Sequence, residues 1–161
     1  MHPKIRPIQS DEYPILEDFL YHAIFVPKGE KLPPREVIFE PKIFIYIKDF
    51  GGENDCGVVA ELEGKIVGAA WTRIIPAYGN IDKKTPELAI SVLPKWRGHG
   101  IGSQMMKKLF ELLHRHGYER TSLSVQKNNP AVRFYQRLGY KIATERTNHG
   151  DYLMIKTLQP Q

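Results

Sequence analysis

Cysteine is nearly absent from this chain: Cys56 stands alone among 161 residues. One thiol cannot form an internal disulfide, which agrees with a reducing, cytoplasmic setting. Cys56 itself reads as a small core or strand residue rather than a nucleophile. Long apolar runs are missing too. No stretch approaches the roughly 20 residues of a membrane span, and the opening MHPKIRPIQSDEYP lacks the apolar centre of a signal peptide. Neither a membrane partner nor export is expected. Repeats, low-complexity segments and linkers are also lacking, so residues 1–161 read as one domain, long enough for a real core. Concentrated positive charge is the last absence. The net charge of +5 points to an anionic partner, yet the lysines and arginines are spread along the chain. Only Lys107-Lys108 and His114-Arg115-His116 are dense, and they suit a solvated helix face whose terminal cations favour the dipole. Nucleic acid is therefore not an expected partner. The two imidazoles of His-x-His point in different directions, so no metal site is expected there.

What the chain does contain is a concentrated signal between Glu87 and Gly102, ELAISVLPKWRGHGIG. An apolar and small run to Leu93 reads as a buried strand, and Pro94 stops it because proline cannot donate to a ladder. Glycines follow at 98, 100 and 102. From Ile101 the apolar residues Met105, Leu109, Leu112 and Leu113 recur at helical spacing. Strand, glycine loop and helix N-terminus together expose inward-pointing N–H groups, which suit phosphate oxygens. A P-loop needs G-x-x-x-x-G-K-[ST], and neither the spacing nor the lysine fits. A dinucleotide loop needs a third glycine where Ser103 stands. The pattern that does fit is R-x-x-G-x-G, aligned as Arg97-Gly98-His99-Gly100-Ile101-Gly102 on its glycines.

The surrounding pattern alternates elements. Ile5–Ile8 reads as a strand, Ser10 as the N-cap of a helix through Ala23, and 25–50 as proline-interrupted short helices and loops. Cys56–Leu62 and Lys65–Ile75 form a hairpin about Glu63-Gly64, and 76–86 is a loop. Thr121–Gln126 is a strand, Asn129-Pro130 starts a helix through Leu138, and Lys141–Arg146 with Tyr152–Leu158 closes as a hairpin. The expected class is α/β (α+β), a mixed, mostly antiparallel sheet of six to seven strands flanked by helices.

A second motif follows the glycine loop by one helix and one strand: Asn128-x-x-Ala131-x-x-Phe134-Tyr135-x-x-x-Gly139-Tyr140. Together the two motifs resemble the signatures of the GNAT N-acetyltransferase superfamily, and span residues 87–140. The resemblance implies that fold, acetyl-CoA (coenzyme A) as cofactor, and direct attack of a primary amine on the thioester. It implies that backbone groups of Ile90, Ser91 and Val92 meet pantetheine between two splayed strands. The loop Arg97, Gly98, His99, Gly100, Ile101, Gly102 and Ser103 would hold the pyrophosphate. Asn128 would hydrogen-bond the cofactor, with Ala131 and Phe134 packed beside it, and Tyr135 would protonate the leaving thiolate. A backbone N–H near Ile90 would stabilise the oxyanion.

Glu87 shares a strand face with the small residues Ala89 and Ser91, which leaves its carboxylate a view of the acceptor cleft. Strand rise places it about 10 Å from Ile90, so a base role runs through ordered water. The alternative is a surface residue paired with Lys83 or Lys84. In the resembled family, region 25–50 covers the acceptor cleft. Phe25, Phe39, Phe44, Tyr46 and Phe50 are candidates to line it, with most expected in the core, and Trp71 is open to either place. The acceptor, a small molecule or a protein amino group, is not legible. A catalytically silent acyl-CoA-binding module remains the alternative, and Tyr135 favours the enzyme. Family members are often dimers, which leaves room for a homodimer.

Overall fold

The computed structural model describes residues 2–158; Met1 and residues 159–161 of the expected 1–161 domain lie outside them. Seven strands form one sheet in the order β1-β2-β3-β4-β5-β7-β6. They are β1 (Lys4–Pro7), β2 (Cys56–Leu62), β3 (Lys65–Arg73), β4 (Glu87–Val92), β5 (Arg120–Gln126), β6 (Lys141–Arg146) and β7 (Asp151–Thr157). All neighbours are antiparallel except β4 and β5. The β2–β3 turn is the expected one. Glu63 and Gly64 both have positive φ, 52° and 79°, the geometry of a two-residue hairpin loop whose twist matches the strands.

The sheet separates two apolar layers. On one face lies α3 (Ile101–Arg115), with Ile101, Met105, Met106, Leu109, Leu112 and Leu113 all buried. Val58, Ala60, Val67, Ala70 and Leu88 meet it from the sheet. Each such side chain withdrawn from water contributes roughly 1.5–3 kcal/mol, which is why this helix has a single apolar face. Its approach requires Gly68: a Cβ there would come within 2.9 Å of Met105 Cε. The short α4 (Ala131–Arg137) packs on the same side through Val132, Phe134 and Tyr135. The other face is covered by α1 (Leu16–Ala23) and α2 (Pro41–Phe44), with Leu16, Phe19, Ile38 and Trp71 at its centre.

Several boundaries differ from expectation, and three of the differences have a local cause. The first helix becomes α-helical only at Leu16. Residues Ser10–Ile15, which include Pro14, form a 3-10 turn whose cap position is Gln9 rather than Ser10. The Glu12 carboxylate accepts the Gln9 N–H at 2.9 Å, so the local acidic residue caps backwards. The strand expected to reach Ile75 ends at Arg73, which pairs with Glu87, the first residue of β4, so the ladder has no partner beyond it. β4 ends at Val92 rather than Leu93, whose N–H bonds the Val67 carbonyl just before a 3-10 turn at Pro94–Trp96.

Candidate active site

β4 and β5 are joined at one end only. Their parallel register consists of the single pair Glu87–Ser122, fastened by the Ser122 N–H to the Pro86 carbonyl at 3.0 Å. From Leu88 to Val92, β4 has no strand partner on that side among the described residues. The gap opens into a groove of about 580 Å³, a size suited to an extended organic ligand. Ile90, Ser91 and Val92 form one wall, Asn129, Ala131 and Tyr135 another, and His22 and Phe25 from the end of α1 a third. The Ser91 hydroxyl donates to the Phe19 carbonyl at 2.6 Å, which fixes α1 against this part of β4.

The glycine loop adjoins the groove, which Pro94 and Arg97 line. Gly98 and Gly100 have φ near 80°, the left-handed region that side chains avoid, and a Cβ on either would meet nothing within 4 Å. Their outer surface is therefore open space in front of the α3 N-terminus, a cradle that fits a phosphate group. Gly102 serves differently: its Cβ would press on Phe134 at 3.3 Å, so α3 and α4 approach closely there. Arg97 lines the groove and also ties the loop down. Its Nε donates to the Val92 carbonyl and an Nη to the His22 carbonyl, tying the loop to β4 and α1. His99 is exposed with Nδ1 3.1 Å from the Trp96 carbonyl, the Ile101 side chain is buried in the core, and Ser103 is exposed. Only the backbone of Ile101 can face a ligand.

Asn128 is exposed and lines an adjoining hollow behind the turn, not the groove. Its neighbour Asn129 lines the groove and caps α4, its Oδ1 accepting the Ala131 N–H at 2.9 Å. The Asn-Asn pair offered no signal of which residue turns inward; the turn at 127–128 decides it. Tyr135 is half-buried in the groove wall, packed against Phe134 and, edge-on, against Tyr140 at 5.9 Å. Burial pushes its phenol up to about 12, so it enters any reaction protonated.

Glu87 is not at the surface. It is 2% exposed and has no contact with Lys83 or Lys84; Oε2 accepts the Tyr46 hydroxyl and the Gly79 N–H, while Oε1 has no partner among the described residues. Burial raises its carboxyl to about 7, against the opposing pull of the Tyr46 and Gly79 hydrogen bonds and the Arg146 charge. A carboxyl poised there is partly ionised at neutral pH and can take up a proton. The same burial, with the Glu87 carboxylate beside it, pushes the Tyr46 phenol far above its ordinary range. Tyr46, a residue set aside above as one of several aromatics, is aimed by Trp71 and Arg73. The indole N–H donates to the Tyr46 carbonyl at 2.9 Å, and Arg73 Nη1 donates to the Ile45 and Lys48 carbonyls. Trp71 is thus core, 1% exposed, and positions the cleft from below. Cys56 is buried with its thiol pushed up to about 11, an inert residue. Tyr46 and Gly79 were not legible as Glu87 partners, since they lie 41 and 8 residues from it and no motif spans them.

Residues 10–140 match the acetyltransferase (GNAT) family, which covers most of the chain. The chain belongs to the GNAT acetyltransferase family. This GNAT chain is 32% identical over 101 residues to the spermine/spermidine N(1)-acetyltransferase of Bacillus subtilis, covering 60% of this chain and 66% of that protein. It is 31% identical over 91 residues to an N-alpha-acetyltransferase of Sulfurisphaera tokodaii, covering 52% of this chain and 54% of that one. The chain thus spans under two thirds of the length of these relatives. Among solved structures, yncA of Salmonella typhimurium, solved with its cofactor acetyl-CoA, superposes with a TM-score of 0.71 at 16% identity, covering 100% of this chain and 96% of that one. The PaiA N-acetyltransferase of Thermoplasma acidophilum, in complex with coenzyme A, gives 0.66 at 15% identity, over 98% and 99%. At these identities the likeness is one of fold. No helix among the described residues is long and apolar enough to cross a membrane.

Proposed function

We propose that residues 1–161 act as one N-acetyltransferase domain that moves the acetyl group of acetyl-CoA to a primary amine by direct attack. The observation that carries this reading is the one-ended β4–β5 junction beside two left-handed glycines. It leaves a free strand edge for an extended amide-bearing arm and a cradle for phosphates beside the same groove. Acetyl-CoA would supply an activated thioester carbonyl there. Backbone groups of Ile90, Ser91 and Val92 hold the arm, and an N–H near Ile90 meets the developing oxyanion. Asn129, with Asn128 behind it, holds the turn against the cofactor, and Ala131 and Phe134 pack alongside.

Glu87 Oε1 accepts the ammonium proton, through ordered water, and the freed nitrogen bonds to the acetyl carbon. As the carbon–sulfur bond breaks, the Tyr135 hydroxyl would protonate the thiolate, and the second proton of the nitrogen, released as the amide forms, would restore the phenol. An ordinary thiol, with a pKa of about 8.5, would make that transfer uphill, but a thiolate buried beside Tyr135 is desolvated as well. Polyamines, the acceptors named for the Bacillus subtilis relative, and terminal amino groups both fall within this reaction class.

The test uses the two ends of α3. Gly100→Val should remove acetyl-CoA binding in calorimetry, because its side chain would enter the phosphate cradle. Gly117, with φ 89° and equally open surroundings, lies past the other end of the helix. Gly117→Val carries the same backbone strain and should keep binding. Unchanged affinity in a folded Gly100→Val protein would overturn the assignment.

A further inference from the structure

A second hollow, of about 330 Å³, lies on the α2 side of the sheet. Lys42, Ile45, Pro76, Tyr78 and Arg146 line it. Ile45 precedes Tyr46, whose hydroxyl covers Glu87, and Tyr78 precedes Gly79, whose N–H caps the same carboxylate oxygen. The hollow therefore borders the two segments that cover Glu87, and Arg146 in its lining acts electrostatically on that carboxyl. Beneath that cover Glu87 Oε1 is buried without a partner, an uncompensated acceptor of the kind an ammonium group satisfies.

The rim carries the opposite chemistry. Among the described residues lining the hollow none is acidic, while Lys42 and Arg146 are both cationic, and Lys42 is exposed. Asp151, the carboxylate that Arg146 binds, is 2% exposed and already committed. It accepts Arg146 Nε at 3.0 Å, Arg146 Nη2 at 2.6 Å and the Ser124 hydroxyl at 2.6 Å. Arg146 keeps Nη1 without a hydrogen-bond partner among the described residues. A polycation entering this way would meet two like charges in the lining and no carboxylate there. An acceptor with an anionic group would meet paired cations at the mouth while its amine reached the orphan oxygen.

Resting on the acetyltransferase reading, we infer that this hollow is the acceptor entrance and that Lys42 and Arg146 select an amine bearing a carboxylate over a diamine or polyamine. Lys42 and Arg146 are specificity-determining residues. They attract the acceptor's distal group and take no part in proton transfer.

The experiment follows free-thiol release from acetyl-CoA with matched acceptors. ω-Amino acids from glycine to 6-aminohexanoate are each compared with the diamine of similar length, and spermidine is added. The wild-type protein should favour the carboxylate series at least tenfold in kcat/KM, and added salt should narrow that margin by screening. Lys42→Glu should shift the ratio roughly tenfold toward the diamine, chiefly through KM. Arg146→Gln should shift it the same way where the variant folds; Lys42→Glu, altering only an exposed side chain, does not share that risk. A wild-type preference for diamines or spermidine, or an unmoved ratio in Lys42→Glu, overturns the inference and leaves acetyl transfer standing. Thiol release from no amine at all, by a protein that binds acetyl-CoA, overturns both readings.

Discussion

Replacing Glu87 with glutamine isolates the free energy of burying this one carboxyl. Glutamine keeps the shape, and its carbonyl can accept the Tyr46 hydroxyl and the Gly79 N–H where Oε2 does now. The amide then occupies the site of Oε1, where its donors find no acceptor, at a cost of about 1–3 kcal/mol independent of pH. What depends on pH is the charge. The carboxyl lies at about 7 when folded, against 4.5 in the absence of the fold. A raised acid binds more protons folded than unfolded, so the wild-type protein loses stability as pH climbs from about 4.5 to about 7. Taking these two values, the loss between pH 5 and pH 8 is about 2.5 kcal/mol, with each pKa unit worth about 1.4 kcal/mol. Glu87→Gln lacks this loss. Denaturant titrations of both proteins at pH 5, 6, 7 and 8 should therefore show the variant gaining about 2.5 kcal/mol on the wild type across the series. The constant amide penalty cancels in that difference. A difference flat to within about 1 kcal/mol would mean that Glu87 is ionised and solvated in the fold, and the argument for a poised base would fail with it. In acetyl transfer, the variant should be slowed roughly 10²–10⁴-fold near neutral pH and recover part of the rate at high pH as the free amine becomes abundant.

Two further outcomes are expected. Tyr135→Phe removes one hydroxyl from a wall that also holds Phe134 and Tyr140, so acetyl-CoA affinity should survive. Single-turnover transfer should fall roughly 10²–10⁴-fold, and an undiminished rate would take the phenol out of the reaction. Tyr46→Phe deletes a hydrogen bond that lowers the Glu87 pKa. The acidic limb of the pH–rate profile, expected near 7, should then move to higher pH, with rate lost at pH 7 and regained at pH 9. A limb that stays in place would show that Tyr46 does not hold the carboxylate.

Sequence alone determined the elements whose cause is local. The helix of 101–115 follows from apolar residues at helical spacing, and the Glu63-Gly64 hairpin from a glycine that accepts positive φ. The loop glycines at 98 and 100 are of the same kind, because their conformation is a property of the residue and its neighbours. The family and the splayed strands were legible because the two motifs are contiguous stretches of chain. Tertiary structure alone decided the surroundings of Glu87. The carboxyl lies in β4, Tyr46 comes from the turn after α2, and Gly79 comes from the loop before β4. Arg73 and Trp71 pin residues 45–48 onto the sheet, and the Ser122 hydroxyl holds the Gly79 carbonyl at 2.6 Å. Strand alternation gave the face on which Glu87 lies but not the depth of cover over it. Depth depends on which loops fold across that face, and so does the pKa. The exposed Asn128 and the inward Asn129 were separated by the same kind of non-local fact, the way one turn packs against a helix end. Periodicity and motif report what a residue does to its own backbone. Desolvation and charge pairing are set by residues brought from elsewhere in the chain, and the chemistry of this site depends on them.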